Sequence, residues 1–184
     1  MHASSCSIRL VATGFALALG LASCGSSPGG TPSATKSSGA CNTGVTKTVL
    51  IPASQRSKVG TSGTAPTVVV PNATPPTQLE CVDLIYGTGA TIKVGSYVTV
   101  QYVLATYSTH QVIQSSWTSQ PLQIYVGEGR VIPGWDAGLI GMKVGGRREL
   151  IIPPSLGYGS RPPQGAGVGV NDTLVFVIDL LNSN

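Results

Sequence analysis

Charged side chains make up only 10% of this sequence, and histidine occurs just twice in 184 residues. Each scarcity removes a class of function. The formal net charge is +4, and Arg147-Arg148 is the only adjacent basic pair among scattered cations, so there is no footprint for nucleic acid. His110 is the only histidine beyond the N-terminal segment, and it lies in a polar stretch where a solvated loop histidine is the ordinary outcome. No G-x-S-x-G nucleophile elbow is present. The alternating Gly165, Gly167 and Gly169 precede no helix, so they do not read as a phosphate cradle. Asp83, Asp136, Asp172 and Asp179 are far apart, and nothing in their spacing favours a carboxylate pair. What the chain does have is glycine and proline, 24 and 13 residues, which make it loop-rich and β-leaning rather than a helix bundle.

Long apolar runs are also missing. The longest, Leu10 to Leu21 (LVATGFALALGL), falls short of the ~20 residues that a membrane span needs. With Met1 to Arg9 before it, it fits a secretory h-region. The next residues, Leu21-Ala22-Ser23-Cys24, resemble a bacterial lipobox. That resemblance implies a lipoprotein signal peptide over residues 1–23, and Cys24 lipidated on its thiol after cleavage. Several acyl chains on one residue, palmitate among them, are sufficient for stable anchoring. An ordinary signal peptide with a chance cysteine is the alternative. Gly25 to Ala40 (GSSPGGTPSATKSSGA) is too poor in apolar surface to order itself, and reads as a tether. The expected location is the outer face of the bacterial cell membrane.

Export changes how the remaining cysteines read. Cys6 leaves with the signal and Cys24 is committed to lipid. Cys41 and Cys81 are then an even pair in an oxidising compartment, which favours a disulfide closing a loop of roughly 40 residues. Two independent thiols are the alternative. Two cysteines without a neighbouring histidine do not make a zinc site, so no metal or other cofactor is expected.

The first 64 residues divide into the signal and, over 24–64, the lipidated cysteine and tether, with a short strand conceivable at Val45 to Ile51. Residues 65–184 form the folded domain. Thr67 to Val70, bounded by Pro66 and Pro71, is expected as an edge strand. Period-two alternation marks strands at Leu79 to Tyr86, Tyr97 to Thr106, Leu122 to Val126, Arg147 to Ile152 and Thr173 to Leu181, with a short segment at Gln111 to Ser115. In the last strand Leu174, Phe176, Ile178 and Leu180 share a face. Pro133 to Met142 is the one helix: Pro133 suits its first turn, Asp136 its N-terminal dipole, and Gly141 its end. Pro154 to Asp172 is a long loop. Many strands and one short helix predict an α+β fold, an antiparallel sheet folded over the helix.

Four motifs then occur in order: Val131-Ile132-Pro133-Gly134-Trp135, Gly141-Met142-Lys143-Val144-Gly145-Gly146, Leu156-Gly157-Tyr158-Gly159, and Asn171-Asp172-Thr173-Leu174-Val175-Phe176. Together they resemble the FKBP-type peptidyl-prolyl cis-trans isomerases, over about Leu79 to Leu181. The resemblance implies an FKBP-like half-barrel sheet wrapped around one short helix, with an apolar pocket between them. It assigns catalytic positions to Tyr102, Trp135, Tyr158 and Phe176. It places Ile113, Gln114, Leu122, Ile124, Val131, Ile132 and Val168 where the family binds substrate. Trp135 corresponds to the pocket floor, and Tyr158 to the loop phenol that holds a ligand carbonyl.

The implied activity is rotation about X-Pro bonds in unfolded exported proteins, without a cofactor. Implied ligands are proline-containing peptides and macrolides, and a monomer is expected. The sequence departs from the family where Ile113-Gln114 replaces the usual Phe-Asp, and where Leu122 and Ile124 replace aromatics. Leu104 to Val112 also lacks the usual glycine and acids. A neutral amide cannot supply a carboxylate acceptor to Tyr102. Slow turnover and macrolide affinity below the family norm are the expectation, with a proline-peptide binding or chaperone module of little activity as the alternative.

Overall fold

The structure is a computed structural model, and it describes Cys41 and residues 65–184. The segments expected as signal peptide and tether, Cys24 and the strand conceivable at Val45 to Ile51 lie outside the described residues. Six strands form one antiparallel sheet: β1 (Glu80–Ile85), β2 (Tyr97–Thr106), β3 (Val112–Ser115), β4 (Leu122–Tyr125), β5 (Arg147–Ile152) and β6 (Leu174–Ser183). Their order across the sheet is β1-β5-β6-β2-β3, and β4 also pairs with β2. Among the described residues a single α-helix, α1 (Pro133–Leu139), packs on one face. The fold is therefore α+β, as the alternation implied.

The ten-residue β2 carries two short partners on the same edge. Its first half, Tyr97 to Val100, pairs with β4, and Val103 to Ala105 pair with β3. Between them the ladder is interrupted, and Ser116 fills the break. Its buried hydroxyl accepts from the backbone N–H of Tyr102 at 2.8 Å and bonds the Gln101 side chain. This staple satisfies a backbone donor that would otherwise be orphaned, and it fixes β2 at Tyr102.

Alternation gives the sheet an inner face of Val98, Val100, Leu104, Leu150, Ile152, Leu174, Phe176, Ile178 and Leu180, all buried against α1 residues Trp135 and Leu139. The helix lies close because two glycines face β5. A Cβ at Gly138 would come within 2.6 Å of Leu150 Cδ1, and one at Gly134 would overlap Ile152. The helix stops at Leu139, a turn earlier than Met142. Ile140 takes ψ 136°, and Gly141 follows at φ +80°. The carbonyls left at that end are taken by Arg148, whose Nη1 donates to Gly138 O at 2.8 Å and Ile140 O at 3.2 Å.

Thr67 to Val70 is not a strand. It makes no ladder, and Val68 and Val70 instead pack on the outer face against Tyr107, Ile151 and Val175. Prolines bound the segment on both sides, and the packing of two partly buried valines holds it. Cys41 is bonded to Cys81, with Cα atoms 5.7 Å apart, which joins residue 41 to β1.

The Arg147-Arg148 pair is divided between the two faces of β5. Arg147 forms a fully buried two-pronged ion pair with Asp179, its direct partner on β6, at 2.5 and 2.7 Å. Arg148 pairs with Asp83, opposite it on β1, at 2.6 and 2.9 Å. What reads as a basic dipeptide is two structural cations.

Candidate functional site

Between the inner face of the sheet and the N-terminal end of α1 lies a cavity of about 410 Å³. Seven chain segments contribute to it. Tyr102 comes from β2, Gln114 from β3, Leu122 from β4, Gly129 to Ile132 from the turn before the helix, Trp135 from α1, Tyr158 from the loop after β5, and Phe176 from β6. An open groove of this size, walled mostly by apolar and aromatic groups, suits a small ring or a short peptide segment.

Three rings build its base. Trp135 meets Phe176 with centroids 5.2 Å apart and planes at 84°, and meets Tyr102 at 5.4 Å and 85°. Both are edge-to-face geometries, which the ring quadrupoles favour. Tyr102 and Phe176 lie 6.1 Å apart. The indole is held from behind by the close helix–sheet contact and is 3% exposed. Its Nε1 is buried with no hydrogen-bond partner among the described residues.

The turn that precedes α1 is tied to the helix. Asp136 accepts from the backbone N–H of Gly127 at 2.7 Å and of Gly129 at 2.8 Å. Its carboxylate therefore organises the turn, beyond any interaction with the helix dipole. Gly127 and Gly129 both have positive φ, +80° and +69°, as this tight path requires. The result presents Val131 and Ile132 to the cavity. Tyr158 stands between Gly157 and Gly159, after a 3-10 turn at Pro154–Leu156. The loop is fastened at Gly159, whose carbonyl accepts from Asn171 N at 2.8 Å.

Burial raises the pKa of Tyr102 above the usual phenol value, and the neighbouring Tyr158 raises it further. Among the described residues, the lining contains no Asp, Glu, His or Cys. Proton transfer near neutral pH has no agent there, and what the site offers is shape, low polarity and a few donors.

Of the positions expected from sequence, Tyr102, Gln114, Leu122, Val131, Ile132, Trp135, Tyr158 and Phe176 line this one cavity. Three do not. Ile124 is two residues beyond Leu122 on the same face of β4, which carries it past the cavity into the core beside Val98. Ile113 and Val168 pack at the edge of the core, where Ile113 lies close to Gly167. Gly129 and Arg130 line the cavity and were not anticipated. Their contiguity with Val131 is the signal that could have found them.

The comparisons with known proteins agree with this geometry. Residues 89–181 match the family described as FKBP-type peptidyl-prolyl cis-trans isomerase. The chain is 45% identical over 117 residues to the FK506-binding protein of Streptomyces anulatus, covering 63% of this chain and 94% of that protein. It is 40% identical over 119 residues to a probable FK506-binding protein of Corynebacterium glutamicum, covering 64% and 98%. By contrast, it spans 19% of the longer FK506-binding protein 4 of Chaetomium thermophilum, at 46% identity over 52% of this chain. Among solved structures, AtFKBP13 superposes with a TM-score of 0.53 at 31% identity, over 60% of this chain and 96% of that one. FkpA from Escherichia coli gives 0.52 at 35%, over 59% and 49%. A matching profile over half the chain, near-complete coverage of two bacterial relatives and the shared half-barrel together make this chain a member of the FKBP-type peptidyl-prolyl cis-trans isomerase family.

Proposed function

We propose that this protein isomerises X-Pro bonds in exported polypeptides, as a monomer tethered through Cys24 to the outer face of the cell membrane. The observation that supports the activity is the ring-walled cavity with Trp135 at its base and Tyr158 at its side. Rotation about an X-Pro bond faces a barrier of ~18–20 kcal/mol, because amide resonance is lost on twisting. The planar amide is more dipolar than the twisted one. A surround of low polarity therefore raises the planar ground state relative to the twisted state, which is differential binding of the transition state. Trp135 seats the prolyl ring, and the Tyr158 hydroxyl donates to a flanking carbonyl. Each ~1.4 kcal/mol of difference is worth tenfold in rate.

Among the described residues no carboxylate lines the cavity, and Gln114 occupies the wall where the family has an acid. We therefore infer slow turnover, and macrolide binding weaker than is usual in the family. The same observation favours the second reading, a proline-peptide binding or chaperone module. An isomerisation assay on the chain without residues 1–24 separates them. We expect measurable turnover that Trp135→Leu with Tyr158→Phe abolishes and Gln114→Asp raises. No acceleration over the uncatalysed rate leaves only the binding module. The anchor is supported by the lipobox and tether patterns, and Cys24→Ser should shift the protein out of the membrane fraction. Retention of that variant in the membrane would refute the lipid anchor.

A further inference from the structure

Asp172 is a buried carboxylate, 8% exposed, that lies outside the cavity wall. One of its oxygens accepts from the backbone N–H of Ser108 at 3.1 Å, and the other from the Ser108 hydroxyl at 2.5 Å. Both bonds are charge-assisted and therefore stronger than neutral ones. They carry the β2–β6 pairing past the end of its ladder. The last paired residues are Thr106 and Leu174. Beyond them Tyr107 N donates to Thr173 O at 2.9 Å, and Ser108 then meets the side chain of Asp172. The turn between β2 and β3 holds its shape by other bonds. Thr106 N donates to Gln111 O at 3.1 Å, His110 N donates to Thr106 O at 3.0 Å, and the Thr106 and Thr109 hydroxyls bond at 2.5 Å. What the carboxylate constrains is the chain on its own side. Asn171, the residue before it, has left-handed backbone at φ +55°, and its N–H donates to Gly159 O at 2.8 Å. Among the described residues, the other backbone bonds of the loop from Pro154 to Asp172 are local, each reaching back three residues. Gly159 directly follows Tyr158.

We propose that Asp172 is a positioning residue for the prolyl site, and that it fixes the Tyr158 hydroxyl through Asn171 and Gly159. The inference rests on the reading of Tyr158 as the donor to a substrate carbonyl, and adds the residue that sets where that donor stands. Asp172 itself touches no substrate. It anchors the far end of the loop to β2, and the Asn171–Gly159 bond passes that anchorage to the residue beside the phenol. A donor displaced by a fraction of an ångström binds its acceptor less well, and small misplacements far from the reacting bond lower rates.

The test is a double-mutant cycle on the purified protein. Asp172→Ala and Tyr158→Phe are made singly and together, and kcat/KM is read from NMR exchange between the cis and trans signals of a capped Ala-Leu-Pro-Phe peptide. Asp172→Ala should lower kcat/KM about three- to tenfold, and by less than about twofold once Tyr158 is already Phe. A loss of stability alone acts equally in both backgrounds. The Asn171 amide, read by hydrogen exchange, should exchange about tenfold faster in Asp172→Ala. Asp172→Asn keeps an acceptor of the same size for Ser108 N–H and should restore most of the activity. Ser108 is exposed, so Ser108→Ala removes the hydroxyl bond without touching the core. It should move both readouts the same way by less, and it takes the place of Asp172→Ala in the cycle if that variant does not fold. Equal losses with and without the Tyr158 hydroxyl, or an Asn171 amide unchanged in every variant, overturn the inference and leave the isomerase reading standing. Full activity in Tyr158→Phe removes the role of Tyr158 and the inference with it. No turnover by the unaltered protein removes the isomerase reading as well.

Discussion

Tyr102 shows how the site is set at the level of single residues. It lies at the break in β2 that Ser116 staples, so its backbone is fixed while its ring leans on Trp135. Burial and the adjacent Tyr158 both disfavour its phenolate. Because its folded-state pKa is raised above 10.0, the neutral form is favoured in the fold. The stability this contributes is whole below that value and is lost as pH rises through the folded pKa. With no carboxylate, histidine or thiol among the described residues of the wall, kcat/KM should be flat between about pH 6 and about pH 9 and fall only in the phenol range. A bell-shaped profile centred near neutrality would mean that an acid or base outside this wall takes part. Most residues of the wall were legible only through the family resemblance, and Tyr158 alone also stood out by its own setting between two glycines. Ile124 was placed there wrongly. Its alternation with Leu122 gives the correct face of β4 but not the depth at which the cavity ends.

Helix α1 has seven residues and could not hold together by propensity, since isolated helices of this length are marginal in water. It is kept by what it touches at both ends. Asp136 ties its first turn to Gly127 and Gly129, and Arg148 takes carbonyls at its last. Between them the glycines on its β5 side set its height above the sheet, and therefore the height of Trp135. Gly138→Ala should cost about 1–3 kcal/mol, since the added methyl meets Leu150 in a packed core. It should also weaken prolyl-peptide binding, because lifting the helix moves the indole. Unfolding in urea and peptide titration on one sample check both effects; a loss of stability with unchanged affinity would show that Trp135 is placed independently of this contact. The existence of this helix was legible from Pro133 and its apolar spacing. Its early end was not, because that end depends on Arg148, a residue of another strand. Thr67 to Val70 failed for the complementary reason: valine-rich composition signals burial, and here the burial is on a sheet face rather than in a ladder.

Across the whole molecule, two neighbour pairs of the sheet order β1-β5-β6-β2-β3, β1-β5 and β6-β2, join strands far apart in sequence. Alternation tells which face a residue takes and nothing about which strand lies beside it, so this order was accessible only through family resemblance. The long-range pairings place β1 at an edge, and the Cys41–Cys81 bond holds residue 41 there across a separation of 40 residues. That bond lies beside Arg148, 3.4 Å from its Nη1, on the side of α1 away from the cavity-lining turn. In the chain-entropy account a closure of this length destabilises the unfolded state by about 4 kcal/mol and does little to the folded one. Reduction, or Cys41→Ser with Cys81→Ser, should therefore lower Tm by about 10 °C or more. The ring cluster is built on β2, β6 and α1, none of which the bond joins, so isomerisation at 25 °C should stay within about twofold of the oxidised protein. Thermal unfolding and turnover measured with and without reductant separate the two effects. A parallel collapse of both would make the bond a determinant of cavity shape, and an unchanged Tm would remove it as a source of stability.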